Sequence, residues 1–306
     1  MTETRLSIGA AGGCAAALGW FDGLHTGHIA LIRATVETAA KNGLSAAVWT
    51  FEGSKNAGSG FSPGFILSDA EKADILRKEG ISVLFSERFS DVRDLTCEEF
   101  VDRVLIGRCR CEIALCGFNY RFGRGGAGDA GELVRLMESR GKRAVVMPPV
   151  TADGATVSSS AIRSLLAEGD AAAAAKLLGR PFSLTSQIVH GRRIGHRLGF
   201  PTLNQSFPEG GFVPRYGVYA ADVAVGGRVY RAVSNVGVRP TFGGGPAVCE
   251  SHLLAGDPGE CYGMTAVTRF LSFIREETAF GSEKLLKDQI VLDVAAAEEY
   301  FGAERN

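Results

Sequence analysis

Two histidines, His25 and His28, stand three residues apart in Gly19-Trp20-Phe21-Asp22-Gly23-Leu24-His25-Thr26-Gly27-His28. An apolar run, 14–18, precedes this stretch and an amphipathic segment, 29–40, follows it. Strand, glycine-bearing turn and helix start is the order expected of a nucleotide site at the carboxyl end of a parallel strand. Glycines such as Gly19, Gly23 and Gly27 let backbone approach a phosphate closely. The helix start offers unpaired N–H groups and the positive end of a dipole, and the imidazoles add donors toward the same anion. The competing reading is half of a zinc site, which needs further ligands at suitable spacing, and no nearby Cys or His obviously supplies them.

Three further constellations carry polar groups in loops. Gly117-Phe118-Asn119-Tyr120-Arg121-Phe122-Gly123-Arg124 follows a strand-like run and combines an amide, aromatic rings and two arginines, suited either to a planar heterocycle and a phosphate or to local packing. In Val157-Ser158-Ser159-Ser160-Ala161-Ile162-Arg163 the serines are helix caps first, and Arg163 lies one turn inside the helix, where it could reach back to an anion. The third is Gly191-Arg192-Arg193-Ile194-Gly195-His196-Arg197-Leu198-Gly199-Phe200-Pro201-Thr202-Leu203-Asn204. This basic, glycine-spaced loop ends in a Pro-fixed turn presenting a hydroxyl and an amide two residues apart, oxygen donors of the kind Mg²⁺ takes; alone, it reads equally as a basic surface hairpin. Downstream come Ser234-Asn235-Val236-Gly237-Val238-Arg239-Pro240-Thr241 and a strand in which Glu250 and His252 share one face, with Cys249 and Ser251 opposite.

The elements that must position these groups alternate through the first half. Strands are predicted over 45–51, 81–85, 113–116 and 144–147, and helices over 69–79, 96–106 and 130–139, with Ser68 as an N-cap and a capping box at Thr96. Such alternation argues for a doubly wound parallel sheet. Residues 158–178 read as two short helices, and Gly179-Arg180-Pro181 punctuates the chain. Short alternating segments then follow, 182–190, 217–225, 228–235, 248–254 and 266–274, as in a small antiparallel barrel. A closing helix is expected over 282–300, with Leu285, Leu286, Ile290, Val294 and Ala297 at helical spacing. The domains expected are 1–180 and 181–306, and 53–64 reads as a mobile loop.

Composition narrows the function classes. The chain has 306 residues and a formal net charge of −1, without the basic footprint of a nucleic-acid or anionic-membrane binder. No stretch approaches the roughly 20 consecutive apolar residues of a membrane span. The first residues lack the pattern of a secretory signal, so a cytoplasmic location is expected. The seven scattered cysteines imply no disulfide framework, and Cys109, Cys111 and Cys116 read as small apolar residues beside a strand.

Taken in order, these motifs resemble those of the bacterial bifunctional riboflavin kinase/FAD synthetase family, and the first resembles the signature of the HxGH nucleotidyltransferases. The resemblance runs from about residue 14 to residue 300. It implies an α/β nucleotidyltransferase domain followed by a small antiparallel riboflavin kinase barrel with a C-terminal helix. The substrates implied are riboflavin, FMN and ATP, with FAD as final product and Mg²⁺ as metal, leaving room for weak homo-oligomerisation. In the first domain it assigns His25, His28 and Arg163 to charge stabilisation during adenylylation of FMN. Gly19, Phe21, Asp22, Gly23, Gly27, Asn119, Arg121, Ser158 and Ser159 are assigned to binding. In the second, Glu250 is the base toward the riboflavin 5′-hydroxyl and Thr202 and Asn204 hold Mg²⁺, while Gly191, Gly195, Gly199, Phe200, Pro201, Asn235 and Arg239 bind substrates.

The chain departs from the family pattern in three places. Where the family shows Phe-x-Pro-His-Pro, a loop near flavin and nucleotide, this chain reads Phe51-Glu52-Gly53-Ser54-Lys55-Asn56. Trp20 stands where a smaller or polar residue is common, and Ile194 and His196 stand where arginines are frequent. Two other functions compete with the bifunctional enzyme: a riboflavin kinase with an impaired adenylyltransferase domain, and a regulator that binds flavin or nucleotide without turnover.

Overall fold

The computed structural model describes residues 2–6, 12–52, 64–152, 154–191, 194–238 and 246–303. The chain divides by contacts into two compact units, Met1–Ser159 and Ser160–Asn306.

The first unit is built on a six-stranded sheet. Its strands are β1 (Thr2–Arg5), β2 (Cys14–Leu18), β3 (Ser45–Phe51), β4 (Val83–Glu87), β5 (Cys111–Gly117) and β6 (Arg143–Met147), in the order β1-β4-β3-β2-β5-β6. β2 to β6 run parallel, and β1 closes one edge antiparallel to β4. The helices are α1 (Thr26–Asn42), α2 (Asp69–Lys78), a single turn α3 (Phe89–Val92), α4 (Cys97–Glu99) and, after the π-helical run Phe100–Arg108 that continues α4, α5 (Ala130–Glu138). β2 reads Cys-Ala-Ala-Ala-Leu and is buried along its whole length, because helices cover both faces of the sheet. Ala16, Leu18 and Trp49 pack with Phe100, Val104 and Leu133 on one side. Ala15, Ala17 and Val48 pack with Phe21, Leu24, Ile32 and Leu76 on the other. This is the doubly wound sheet expected. Chain order reverses between β2 and β5, so their carboxyl ends form the switch-point crevice.

The capping boxes at Ser68 and Thr96 are both formed. The helix expected over 96–106 instead widens to a π-helix after one turn. Two features went unpredicted: the edge strand β1, and the short hairpin β7 (Thr151–Ala152) with β8 (Ala155–Thr156).

In the second unit α6 (Ser159–Glu168) and α7 (Ala171–Leu178) precede the barrel. Its elements are β9 (Phe182–Val189), the short helix α8 (Ile194–Leu198), β10 (Thr202–Ser206), β11 (Gly217–Val225), β12 (Arg228–Val238), β13 (Ala247–Leu253) and β14 (Thr265–Glu276). The strands close as β10-β13-β12-β11-β14-β9, antiparallel throughout. β10 corrects the sequence reading: Thr202 and Asn204 lie on a strand, not in a turn. By contacts α6 and α7 group with the barrel. Arg215 N–H donates to Leu166 O at 2.9 Å, its guanidinium donates to Glu168 O at 2.9 Å, and a Cβ on Gly169 would stand 3.2 Å from the Phe273 ring.

The last helix, α9 (Glu283–Ala303), lies on the outer face of β11 and β12, where Ala297 and Phe301 pack with Val218, Ala220 and Val233. Leu285, expected in its apolar stripe, is instead 55% exposed. The anchor is polar: Arg275 of β14 donates two hydrogen bonds of 2.7 Å to the buried carboxylate of Asp293, which also accepts from Gln289 at 3.0 Å. Removing one partner strands the other charge in a poorly hydrated place. Asp293→Ala is therefore expected to destabilise the barrel unit by about 2–4 kcal/mol, read as a lower calorimetric transition for that unit. An unchanged transition would contradict this role for the pair.

Candidate active site

The loop after β2 is backbone-strained and side-chain-anchored at once. Phe21 (φ 53), Gly23 (φ 79) and Leu24 (φ 41) all occupy the left-handed region. For phenylalanine and leucine that conformation costs energy and persists only where the surroundings over-determine it. Here both side chains are fully buried in the core under β2. Gly19 has to be bare, since a Cβ there would stand 3.1 Å from the Phe21 ring. Asp22 ties the loop outward: its Oδ1 accepts from Ile66 N–H at 2.9 Å, and its carbonyl accepts from Ser159 Oγ at 2.8 Å.

This turn delivers the two imidazoles as a stack. His25 caps α1, its Nδ1 accepting from His28 N–H at 3.3 Å, so the proton of neutral His25 sits on Nε2. The two rings lie 3.6 Å apart at 15°, with Phe21 edge-on to His28 at 5.2 Å. A Cβ on Gly27 would stand 3.3 Å from the His25 ring, so glycine there leaves room for the stack. His28 Nδ1 is buried and has no hydrogen-bond partner among the described residues. Burial first, then the charges of His25 and Lys72, hold His28 well below the usual imidazole value of 6.5. It is a neutral imidazole near pH 7, free to donate or accept a hydrogen bond without carrying a charge of its own.

The neighbouring parallel strand brings the next group to the same sheet edge, since Leu18 of β2 pairs with Cys116 of β5. Its loop divides by side chain. Tyr120 and Phe122 stack at 5.9 Å toward the core, while Asn119 and Arg121 are exposed. Val150 stands 3.7 Å from where a Gly27 Cβ would lie, and Val157 N–H donates to Val150 O at 3.1 Å, which leads the chain to Ser158 and Ser159. Arg163 lies on α6, within the second unit. Phe51, which opens the altered segment, belongs to an aromatic group: Trp20 lies 4.4 Å from Phe51 and 5.9 Å from Phe89, with its buried Nε1–H unpartnered among the described residues. Residues 53–56 of that segment, and the loop expected over 53–64 up to residue 63, lie outside the described residues.

In the second unit the polar groups form a row on the outside of the barrel. Asn204 of β10, Glu250 of β13 and Asn235 of β12 are directly opposite one another, and the next rung pairs Thr202 with His252. Opposed residues share a face with Cβ atoms roughly 5 Å apart. Cys249 and Ser251 point into the barrel, fully buried, as the alternation predicts. Asn204 is itself buried, and its Oδ1 has no partner among the described residues, while Nδ2 lies 3.4 Å from Thr202 Oγ1.

Glycine shapes this site as well. A Cβ on Gly191 would lie 2.5 Å from Asn204 Oδ1, and one on Gly195 would lie 2.3 Å from Phe200 O. Gly199 (φ 92) turns the chain toward Phe200 and Pro201. Phe200 packs edge-on against His252 at 5.2 Å, and the Pro201 carbonyl is 3.0 Å from His252 Nδ1. Arg239 lies outside the described residues.

The two units thus present two polar arrangements of different chemistry: an imidazole stack at a helix start in a doubly wound sheet, and a carboxylate between carboxamides on a closed barrel. The family model described as FAD synthetase matches residues 8–161, and that described as riboflavin kinase matches residues 178–301. Proteins named bifunctional riboflavin kinase/FMN adenylyltransferase align along nearly the whole chain. That of Pseudomonas fluorescens is 35% identical, covering 93% of this chain and 92% of its own. That of Escherichia coli K12 is 32% identical, covering 95% and 93%. The chain belongs to this family. The same fold is seen in a crystal structure named macrolide-efflux protein, from Streptococcus pneumoniae, with a TM-score of 0.85 at 32% identity, covering 96% of this chain and 97% of that one. Among the described residues here, no helix is long and apolar enough to cross a membrane.

The lowered His28 value has a consequence for stability. Between that value and 6.5 the unfolded chain binds a proton at this ring that the folded chain does not. The α/β unit is expected to lose stability as pH falls below 6.5, by at most ~1.4 kcal/mol per pH unit from this residue. Chemical denaturation from neutral pH to about pH 5 checks this, and His28→Asn should flatten the slope. An equal slope in the variant would contradict it.

Proposed function

We propose that the chain carries out both reactions of its family, with riboflavin phosphorylated on the barrel unit and FMN adenylylated on the α/β unit. The observation that carries the reading is the row Asn204–Glu250–Asn235, with a buried amide oxygen lacking a partner among the described residues beside a carboxylate.

On the barrel, the riboflavin 5′-hydroxyl oxygen attacks the γ-phosphorus of ATP. Glu250 orients that hydroxyl and accepts its proton as the new P–O bond forms and the bond to ADP breaks. The two carboxamides beside Glu250 fix the carboxylate and contact the substrate. The donor set suits a hard cation: the Thr202 hydroxyl and Asn204 Oδ1 are oxygens two positions apart on one strand face, and Asn204 Oδ1 is buried without a partner among the described residues. These two residues would hold Mg²⁺, which when bound neutralises charge on the phosphates. Gly191 lets the backbone lie close against Asn204, and Gly195 lets it lie close against the Phe200 carbonyl.

On the α/β unit, an FMN phosphate oxygen attacks the α-phosphorus of a second ATP, and the bond to the β-phosphate breaks to release pyrophosphate. His25 Nε2–H and the neutral His28 donate to the phosphate oxygens as charge develops, with no covalent intermediate on the protein. The exposed Asn119 and Arg121 face the same sheet edge. The Trp20–Phe51–Phe89 group offers a planar apolar face and one N–H donor, which supports retention of flavin binding despite the altered loop.

Glu250→Gln is expected to lower FMN formation from riboflavin by at least ~10²-fold and to leave conversion of supplied FMN to FAD unchanged. Chromatographic separation of the flavins reads both. Loss of the two steps together would count against separate sites.

A further inference from the structure

Lys72 is a charged residue that the reaction as described leaves unused, and the fold has placed it in a costly position. It is only 3% exposed, although lysine is almost never buried without strong pairing. Among the described residues its one ion pair is with Asp69, at 3.2 Å, whose side chain is 58% exposed. It also lies in the first turn of α2, where the helix dipole opposes a cation. Helix stability, surface charge and core packing all disfavour an ammonium there, so some other group must make use of it.

The surroundings identify that group. The segment leading into α2 is fixed to the imidazole loop: Ile66 N–H donates to Asp22 Oδ1 at 2.9 Å, and a Cβ on Gly23 would stand 3.1 Å from the Ile66 side chain. Leu67 and Leu76, on either side of Lys72 in sequence, belong to the cluster that holds Phe21 and Leu24. The start of α2 is thereby held against the loop that carries the imidazole stack, and the Lys72 charge adds to burial and to His25 in lowering His28. The charged and titratable groups on the loop and on the first turns of the two helices are Asp22, then His25 and His28 at α1, and Asp69, Glu71 and Lys72 at α2; further along lie Arg33, Glu37 and Lys41 on α1 and Asp74, Arg77 and Lys78 on α2. Glu71 is engaged by Ser68 as its capping partner, and Asp22 by Ile66.

We propose that Lys72 is a polyphosphate-binding residue of the α/β unit, the buried cation that complements the pyrophosphate portion of the nucleotide beside His25 and His28. The inference rests on the adenylyl-transfer reading for its substrate, and on the burial and anchoring of Lys72 for its place. Asp69, half exposed, occupies the ammonium in the absence of the anion and yields it when phosphate arrives.

Two measurements on the full-length chain test this. The first compares Lys72→Met and Lys72→Arg with the parent for pyrophosphate-dependent thermal stabilisation, which requires no turnover. Pyrophosphate should raise the transition of the α/β unit in the parent and in Lys72→Arg. In Lys72→Met the concentration needed should increase about tenfold to a hundredfold. The second compares KM for ATP in FMN adenylylation, with riboflavin phosphorylation as internal reference. A KM increase confined to adenylylation and largely reversed in Lys72→Arg supports the proposal, because a packing defect would not be rescued by a bulkier cation. Equal pyrophosphate stabilisation in Lys72→Met and the parent overturns it. A parent chain that binds pyrophosphate but does not adenylylate FMN would sink the adenylyl-transfer reading and leave the Lys72 assignment to be decided by the first measurement.

Discussion

Close approach of a side chain to a bare Cα is the constraint on which both sites rest. In the α/β unit, Gly19 admits the Phe21 ring and Gly27 admits the His25 ring, at 3.1 and 3.3 Å from where a Cβ would lie. On the barrel, Gly191 admits Asn204 at 2.5 Å. Each glycine sits where a loop leaves a strand or enters a helix, so the backbone can fold down upon the functional side chain. The left-handed Phe21 and Leu24 are tolerated because their rings and branches are buried beneath β2. Core packing thereby holds the imidazole loop in a conformation that local preference would not choose.

Under the proposed function the two sites handle phosphate charge by different means. The imidazole stack relies on ring donors, a helix start and a neutral His28 whose Nδ1 is buried. The barrel row relies on oxygen and amide groups fixed by antiparallel register, where each side chain has a set neighbour across the strand. A parallel sheet exposes its loops at one edge and suits the first arrangement. A closed antiparallel barrel has no free strand edges and suits the second, since the register of β10, β13 and β12 places Asn204, Glu250 and Asn235 without help from a loop.

Much of this was legible in residue order alone. The alternation of strand and helix, the capping residues Ser68 and Thr96, and the period-two face carrying Glu250 are local signals, and local physics decides them. The π-helical run after Thr96 was hidden because its capping box is that of an ordinary helix, and the widening depends on packing further along. β10 was concealed by Gly199 and Pro201, which read as a turn, although the strand begins directly after them. Lys72 gave no signal at all: a Glu-Lys pair early in a helix reads as solvated surface, and only the tertiary fold buries it. The position of α6 and α7 likewise depends on distant partners, Arg215 and Phe273, that no local pattern announces.

The central claim, that one chain performs both phosphate chemistries, is tested most directly by the products it makes. Full-length protein supplied with riboflavin, ATP and Mg²⁺ should form FMN first and FAD after it, with one pyrophosphate released for each FAD. FMN that accumulates without FAD, also when FMN is supplied directly, would contradict the account and leave a riboflavin kinase alone.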